Sequence, residues 1–504
     1  MEKLTFSVLD WSILALYFLG TFLIGFFARK QSLSAQGFTT ASGKIGGLLV
    51  GLSIFATYLS SISYLALPGK AFDDNWNSFV FSFSLPLAAW IAVTWFLPYY
   101  RKKKAVSAYA LLEERFGLWA RIYGSFFYLL TQIARIGAVT YLMALPLNVL
   151  TGVDISHIIA FLGFITVIYS LMGGIVAVIW TDAFQAFVLI LGAALCIGVI
   201  LFKMPGSMSD AFQIINFQNK FSLGDFSFAW DKSTFWIVLI YGLFTNLQNF
   251  GIDQSYVQRY ITAKSEKEAR KSIWIGALLY IPVSAMLFLI GTLLYVWYQM
   301  HPQELGQLLL TQTKGDKVFP YFIGSHLPQG ITGLVIAAIL SAGMSTVSTS
   351  LNSSATLLLQ DYYLRFINPT ASERKKMGVL YLSTVIWGIA GSLVAIYMIN
   401  IKSALDVWWM LSSILSGGIA GLFLLGLMHK KATSRHALVA VVIGLALVAW
   451  MSLSVSPFWP EALNEFKSPF HSYLIIIFGT SAIIIVGLIL SYFSLNTRAQ
   501  QTEP

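Results

Sequence analysis

The chain has 504 residues, of which 57% are hydrophobic and only 11% charged, a balance that excludes an ordinary soluble domain. The formal net charge of +10 would suit a nucleic-acid binder, but the basic residues gather in short loops between apolar runs and read as membrane topology. The lone cysteine, Cys196, excludes a disulfide framework and a cysteine-based metal site.

Length and apolarity place about 13 spans, roughly at 9–28, 45–67, 79–99, 118–149, 157–173, 183–203, 235–252, 272–298, 331–360, 377–400, 405–428, 437–455 and 473–494. The first apolar run, Trp11 to Phe27, lacks a strongly basic leader and a small-residue cleavage site, so it reads as a retained helix. With the N-terminus outside, about 22 of the 32 basic residues fall in inner loops, including Arg101–Lys104, Arg259–Lys271 and Arg365–Lys376. The C-terminus then faces the cytoplasm. No linker divides the chain, and residues 1–504 are expected to form one polytopic domain.

The second span carries Phe55-Ala-Thr-Tyr-Leu-Ser-Ser-Ile-Ser63, polar and β-branched at its centre, with Pro68-Gly69 expected to end it. In the fourth span Arg135 lies about midway, where a charge faces the protein interior or a watery cavity. Two readings stay open for it: an ion pair with a carboxylate such as Asp182, or a bidentate clamp on a substrate carboxylate. Asp182, at the expected start of the sixth span, is a cation ligand, a partner for an arginine, or a helix N-terminal acid after Thr181. The seventh span, with Thr245-Asn-Leu-Gln-Asn-Phe-Gly-Ile-Asp253, is a second poor uniform helix.

The ninth span holds the run SAGMSTVSTSLNS, Ser341 to Ser353, dense in hydroxyls and free of charge. Positions 341, 345, 348 and 349 share one helical face. Hydroxyls in hydrocarbon need partners. They serve either as hard oxygen ligands for a small cation such as Na⁺ or as hydrogen-bonding glue between helices. Two interrupted spans five apart point to inverted repeats, 45–203 and 235–428, of opposite topology, with an extra N-terminal helix at 9–28 and C-terminal helices at 437–494. Six scattered histidines form no H-x-x-x-H pair. Neither a phosphate-binding G-x-x-x-x-G-K-[ST] loop nor a G-x-S-x-G or H-E-x-x-H motif occurs, which argues against ATP hydrolysis and against an intramembrane enzyme.

Four stretches together carry a resemblance: ATYLSSISYLALPGKAF in the second span, YSLMGGIVAVIWTDAFQ before the sixth, NFGIDQSYVQRYITAKS after the seventh and AAILSAGMSTVSTSLNSSAT in the ninth. With them the chain resembles the sodium/solute symporter family over nearly its whole length. The resemblance implies an all-α integral membrane protein with the inverted-repeat (LeuT-like) fold, working by alternating access in a bacterial inner membrane. It implies Na⁺ as the coupling ion, surrounding lipid, and no nucleic acid or obligate protein partner. The common sodium site is similar to the backbone oxygens of Ala56, Leu59 and Ala342 with the side chains of Ser345 and Thr346. Asp182, Ser345, Ser348 and Thr349 match a second sodium site found in some members, which makes two ions per substrate the expectation.

Within the family Arg135 looks like the arginine by which the sialic-acid branch holds the sugar carboxylate, with Ser60 and Ser63 at hydroxyl positions of that site. Tyr58, Ser82, Gln248 and Asn249 complete the expected substrate contacts. The chain departs from the branch where Tyr58 replaces a small hydroxyl residue and where Ser78 and Ser82 replace a Phe and a Gln. The expected cargo is therefore sialic acid (N-acetylneuraminate) or another acidic sugar. The alternatives are another small carboxylate, or a neutral sugar if Arg135 is paired to Asp182.

Overall fold

The computed structural model describes residues 6–304, 315–400, 404–456 and 459–500. The described residues are almost all helical. The principal helices are α1 (Val8–Ala28), α2 (Gly47–Tyr58), α3 (Ser61–Asp73), α4 (Asn77–Lys103), α5 (Leu118–Thr151), α6 (Ile155–Lys203) and α7 (Phe235–Ile252). They continue with α8 (Gln254–Thr262), α9 (Glu266–Met300), α10 (Ile331–Ile367), α11 (Glu373–Tyr397), α12 (Ala404–Met428), α13 (Ser434–Ser454) and α14 (Leu474–Gln500). Among the described residues ten helices are long and apolar enough to cross a membrane, and the bent pair α2–α3 makes eleven.

The hydroxyl-rich helix α10 is the centre of the molecule. Of its apolar window 89% is buried, against 28% for α1, which presents Leu16, Phe26 and Phe27 outward. An apolar surface of that kind suits lipid. The two helices are nevertheless tied together. Ser7 and Asp10 form a capping box at the start of α1, and the other oxygen of Asp10, Oδ1, accepts from the backbone N–H groups of Gly330 (2.7 Å) and Gly333 (2.8 Å). These N–H groups lie at the start of α10, where a helix leaves donors unpaired and carries a partial positive charge. One buried carboxylate thus seats two helices.

Three departures from the sequence reading have local causes. Pro68 does not end its helix; it lies within α3, which runs on to Asp73. The proline costs α3 one internal hydrogen bond but does not stop it, and α9 packs close against it at Gly291, where a Cβ would stand 2.0 Å from the Pro68 carbonyl oxygen. The sixth span starts earlier than the expected residue 183: α6 turns at Gly174, whose φ of +50° favours glycine, and its two limbs carry the spans expected at 157–173 and 183–203. Asp182 therefore sits eight residues beyond that turn, inside a helix, and is not the N-terminal acid that Thr181-Asp182 resembled. Finally, α7 is continuous to Ile252; the interruption falls at its end, where Asp253 is extended and its side chain accepts from the Ser255 N–H to start α8.

Candidate functional site

The break between α2 and α3 builds the site. Leu59 (φ −89°, ψ 95°) and Ser60 (φ −88°, ψ 172°) are extended, and the two helices bend by 57°. A helix that stops leaves its last carbonyls without intrahelical donors. Here they find donors from other helices. Ser345 Oγ donates to Ala56 O (2.8 Å), Thr346 Oγ1 faces Thr57 O at 3.4 Å, and Arg135 Nη2 donates to Thr57 O (3.3 Å). Ser345 and Thr346 also reach Ala342 O, each at 3.1 Å. Of the residues expected at the common sodium site, Ala56, Ala342, Ser345 and Thr346 thus share one cluster of neutral oxygens between α2 and α10, of the kind that suits a hard cation, while Leu59 stands at the break itself. Ser341, Ser345, Thr346, Ser348, Thr349, Ser350 and Ser353 are all buried.

The neighbouring cluster is charged. Asp182 Oδ2 accepts from Ser53 Oγ (2.6 Å) and from Arg259 Nη2 (2.8 Å). Arg259, fully buried, also donates from Nε to Ser53 Oγ (2.8 Å), from Nη1 to Ser255 O (2.9 Å) and from Nη2 to Thr349 Oγ1 (2.6 Å). Thr349 in turn shares a hydrogen bond with Thr57 (3.0 Å). Asp182 Oδ1, in contrast, is buried with no partner, and so is Oε1 of Gln185 one turn further along α6. Ser348 donates to Ser345 O (3.1 Å). The carboxylate expected for the second site is therefore held on one side by an arginine and presents an unsatisfied oxygen on the other. An unpaired buried acceptor costs about 1–3 kcal/mol, more for a charged group, which makes that oxygen a fitting cation ligand.

This arrangement removes one rival. The partner of Asp182 is Arg259 and not Arg135. Among the described residues Arg135 makes no ion pair.

Arg135 instead faces a cavity that every expected substrate contact lines: Tyr58, Ser60, Ser63, Ser82, Arg135, Gln248 and Asn249, with Ser78. Ser61 fixes the arginine's surroundings by donating to Val139 O (3.0 Å), one turn along α5. Tyr58 hydrogen-bonds through its hydroxyl to Asn246 Oδ1, and its ring meets Tyr280 edge-on at 4.6 Å. Ser82 is buried and shares a hydrogen bond with Ser284 (3.1 Å). The cavity also takes in Gln132, Thr245, Asp253, Tyr256 and Tyr280, to which the sequence reading gave no substrate role, and Lys70 near the end of α3. Gln132 could have been found from its place three residues before Arg135, on the same helical face. Tyr280 belongs to no motif and reaches the cavity only through the packing of α9 on α2 and α3.

The end of α3 is pinned by a residue outside the spans. Lys220 is buried, donates to Phe72 O (2.7 Å) and Asp74 O (2.8 Å), and lies 3.8 Å from the centre of the Tyr295 ring. Its ammonium satisfies carbonyls at a helix C-terminus, where positive charge is favoured. Burial pulls its pKa below the ordinary lysine value, and Asp74 and Asp73 oppose that shift.

Residues 38–444 match the sodium:solute symporter family. The chain is 34% identical over 453 residues to a sodium/sialic acid symporter of Proteus mirabilis, covering 89% of this chain and 90% of the relative. It is also 34% identical over 493 residues to a sodium/sialic acid symporter of Aliivibrio fischeri, covering 97% and 94%. The structure is similar, with a TM-score of 0.88 and 30% identity, to a Na⁺-coupled sialic acid symporter solved in a substrate-bound outward-open state, over 97% of this chain and 98% of that one.

Proposed function

The chain belongs to the sodium:solute symporter family, and from that premise we propose that it imports an acidic sugar, sialic acid, together with sodium by alternating access. The observation that carries this reading is Arg135: an arginine facing a cavity, held by the Thr57 carbonyl and, among the described residues, paired with no carboxylate. A guanidinium fork fits a carboxylate bidentately, and a half-buried cation in such a cavity asks for an anion. Ser60, Ser63, Gln248 and Asn249 offer hydrogen bonds to the sugar's polar groups. Tyr58 and Ser82 shape the pocket, and their difference from the sialic-acid branch touches the substrate space rather than the ion clusters. The names of the two bacterial relatives and of the solved symporter support the same cargo. The neutral-sugar alternative needed Arg135 to be neutralised by Asp182, a pairing that the structure gives to Arg259 instead.

The protein sits in a bacterial inner membrane with its N-terminus outside and its C-terminus inside, crossing about 13 times. Substrate occupies a midplane cavity lined by the broken helices of repeats 45–203 and 235–428, and rocking of the bundle exposes it inward. One sodium ion is held by the carbonyls of Ala56, Leu59 and Ala342 with the Ser345 and Thr346 hydroxyls. A second is held by Asp182, Ser345, Ser348 and Thr349, with the unsatisfied Oδ1 of Asp182 as its strongest ligand. Sodium in the first position bridges α2 and α10, fixes the break beside Arg135 and so couples ion to substrate. Each charge moved inward draws about 2.3 kcal/mol per 100 mV of membrane potential.

The test is sodium-dependent uptake in proteoliposomes by the parent and by Arg135→Ala, with labelled N-acetylneuraminate, a small monocarboxylate and galactose. Parent uptake of N-acetylneuraminate that needs sodium, reduced at least about a hundredfold in the variant, is expected, because a charge-assisted bidentate contact contributes about 3 kcal/mol. Uptake of galactose in preference to the acid would overturn the reading.

A further inference from the structure

Gln132 stands one helical turn before Arg135 on α5, lines the same cavity and is only 1% exposed. Its Oε1 is buried and accepts no hydrogen bond. Oε1 of Gln248 and Oγ1 of Thr245, on α7 across the cavity, are unpartnered in the same way. Side chains three apart on a helix have Cβ atoms about 5–6 Å apart. A carboxylate seated on Arg135 therefore brings the substituents on its nearest carbons beside Gln132. An amide oxygen is an acceptor only, so the group that satisfies it must carry an O–H or N–H. A plain monocarboxylate has none at that distance; a polyhydroxylated acid does.

We propose that Gln132 is a substrate-contacting specificity residue that accepts a hydrogen bond from a hydroxyl or amide close to the ligand carboxylate, selecting polyhydroxylated acids over plain monocarboxylates. The inference rests on Arg135 being the carboxylate clamp. Binding discriminates strongly when a site's buried polar groups are left unpaired by the wrong ligand. Gln132 contributes one such group on the Arg135 side; Thr245 and Gln248 contribute two on the facing helix.

The test uses Gln132→Met, which keeps the length and removes the acceptor, in purified protein reconstituted into proteoliposomes. The KM for N-acetylneuraminate is expected to rise about two- to tenfold, the range for one lost neutral hydrogen bond, with maximal rate and the sodium concentration for half-maximal uptake unchanged. Inhibition of uptake by hexanoate, which has no donor to lose, is expected to stay as in the parent. An unchanged KM would overturn the proposal. A fall in maximal rate, with KM and sodium dependence shifting together, would also overturn it by showing that Gln132 only packs the helix. Arg135→Ala, run alongside, separates the two levels. If it weakens both acids while Gln132→Met changes nothing, only the role of Gln132 fails; if it weakens neither, the carboxylate clamp fails and Gln132 with it.

Discussion

Two neighbouring stretches of α10 gather oxygen atoms, and they are built on different electrostatics. Around Ser345 and Thr346 the oxygens are neutral: hydroxyls of α10 meet carbonyls released where α2 stops. One turn on, at Thr349, the hydroxyl meets a buried guanidinium, and the nearby carboxylate of Asp182 is already paired with it. The first cluster contains no carboxylate, and Arg135 touches it only at its edge, through Thr57 O. The second is neutral as a pair, so an ion that entered there would have to share Asp182 with Arg259 by way of Oδ1. Proximity along one helix therefore does not make two oxygen clusters equivalent; what decides is whether the chain has buried an ion pair of its own there.

The largest effect is expected where the charged cluster is broken. Arg259→Met leaves Asp182 buried without its partner, which costs about 3–5 kcal/mol for a buried ion pair, read as a lower thermal unfolding temperature of the purified protein in detergent. If sodium shares the same carboxylate, adding it should stabilise this variant more than the parent. An equal sodium effect in both would place the ion away from Asp182.

Ser345→Ala should act next most strongly and on the neutral cluster, since its hydroxyl is the one that meets Ala56 O. Loss of an oxygen at an ion site is expected to raise the sodium concentration for half-maximal uptake about tenfold. A sodium titration of transport checks it, and an unshifted curve would mean that the carbonyls alone suffice. The smallest effect belongs to Ser350→Ala. Its Oγ has no hydrogen-bond partner, so removing it should change stability by less than about 0.5 kcal/mol and leave the sodium curve in place. A loss beyond that would assign the hydroxyl to a third role.

Much of this was legible beforehand. The break in the second span followed from a polar, β-branched centre, and the seven expected substrate contacts do line one cavity. Arg135 was visible because a charge inside an apolar run needs a reason. Its freedom was not visible: nothing along the chain told whether Asp182 belonged to Arg135 or to Arg259, which is 77 positions away. The capping role proposed for Asp182 failed because Gly174, and not Thr181, is where α6 turns. Pro68 misled because a proline costs a helix one hydrogen bond without always ending it, and α3 continues past it to Asp73.

Composition and periodicity by themselves determined that this is a helical membrane protein with hydroxyls and one arginine at places where hydrocarbon would not tolerate them unpartnered. Those are local properties, set by the free energy of each residue in an apolar medium. Tertiary structure alone decided what comes together: that Arg259 neutralises Asp182, that Asp10 of the first helix caps α10, and that Gln132 and Gln248 line one cavity with their oxygens unsatisfied. Pairing depends on distances between segments far apart in the chain, which hydrophobic pattern does not encode.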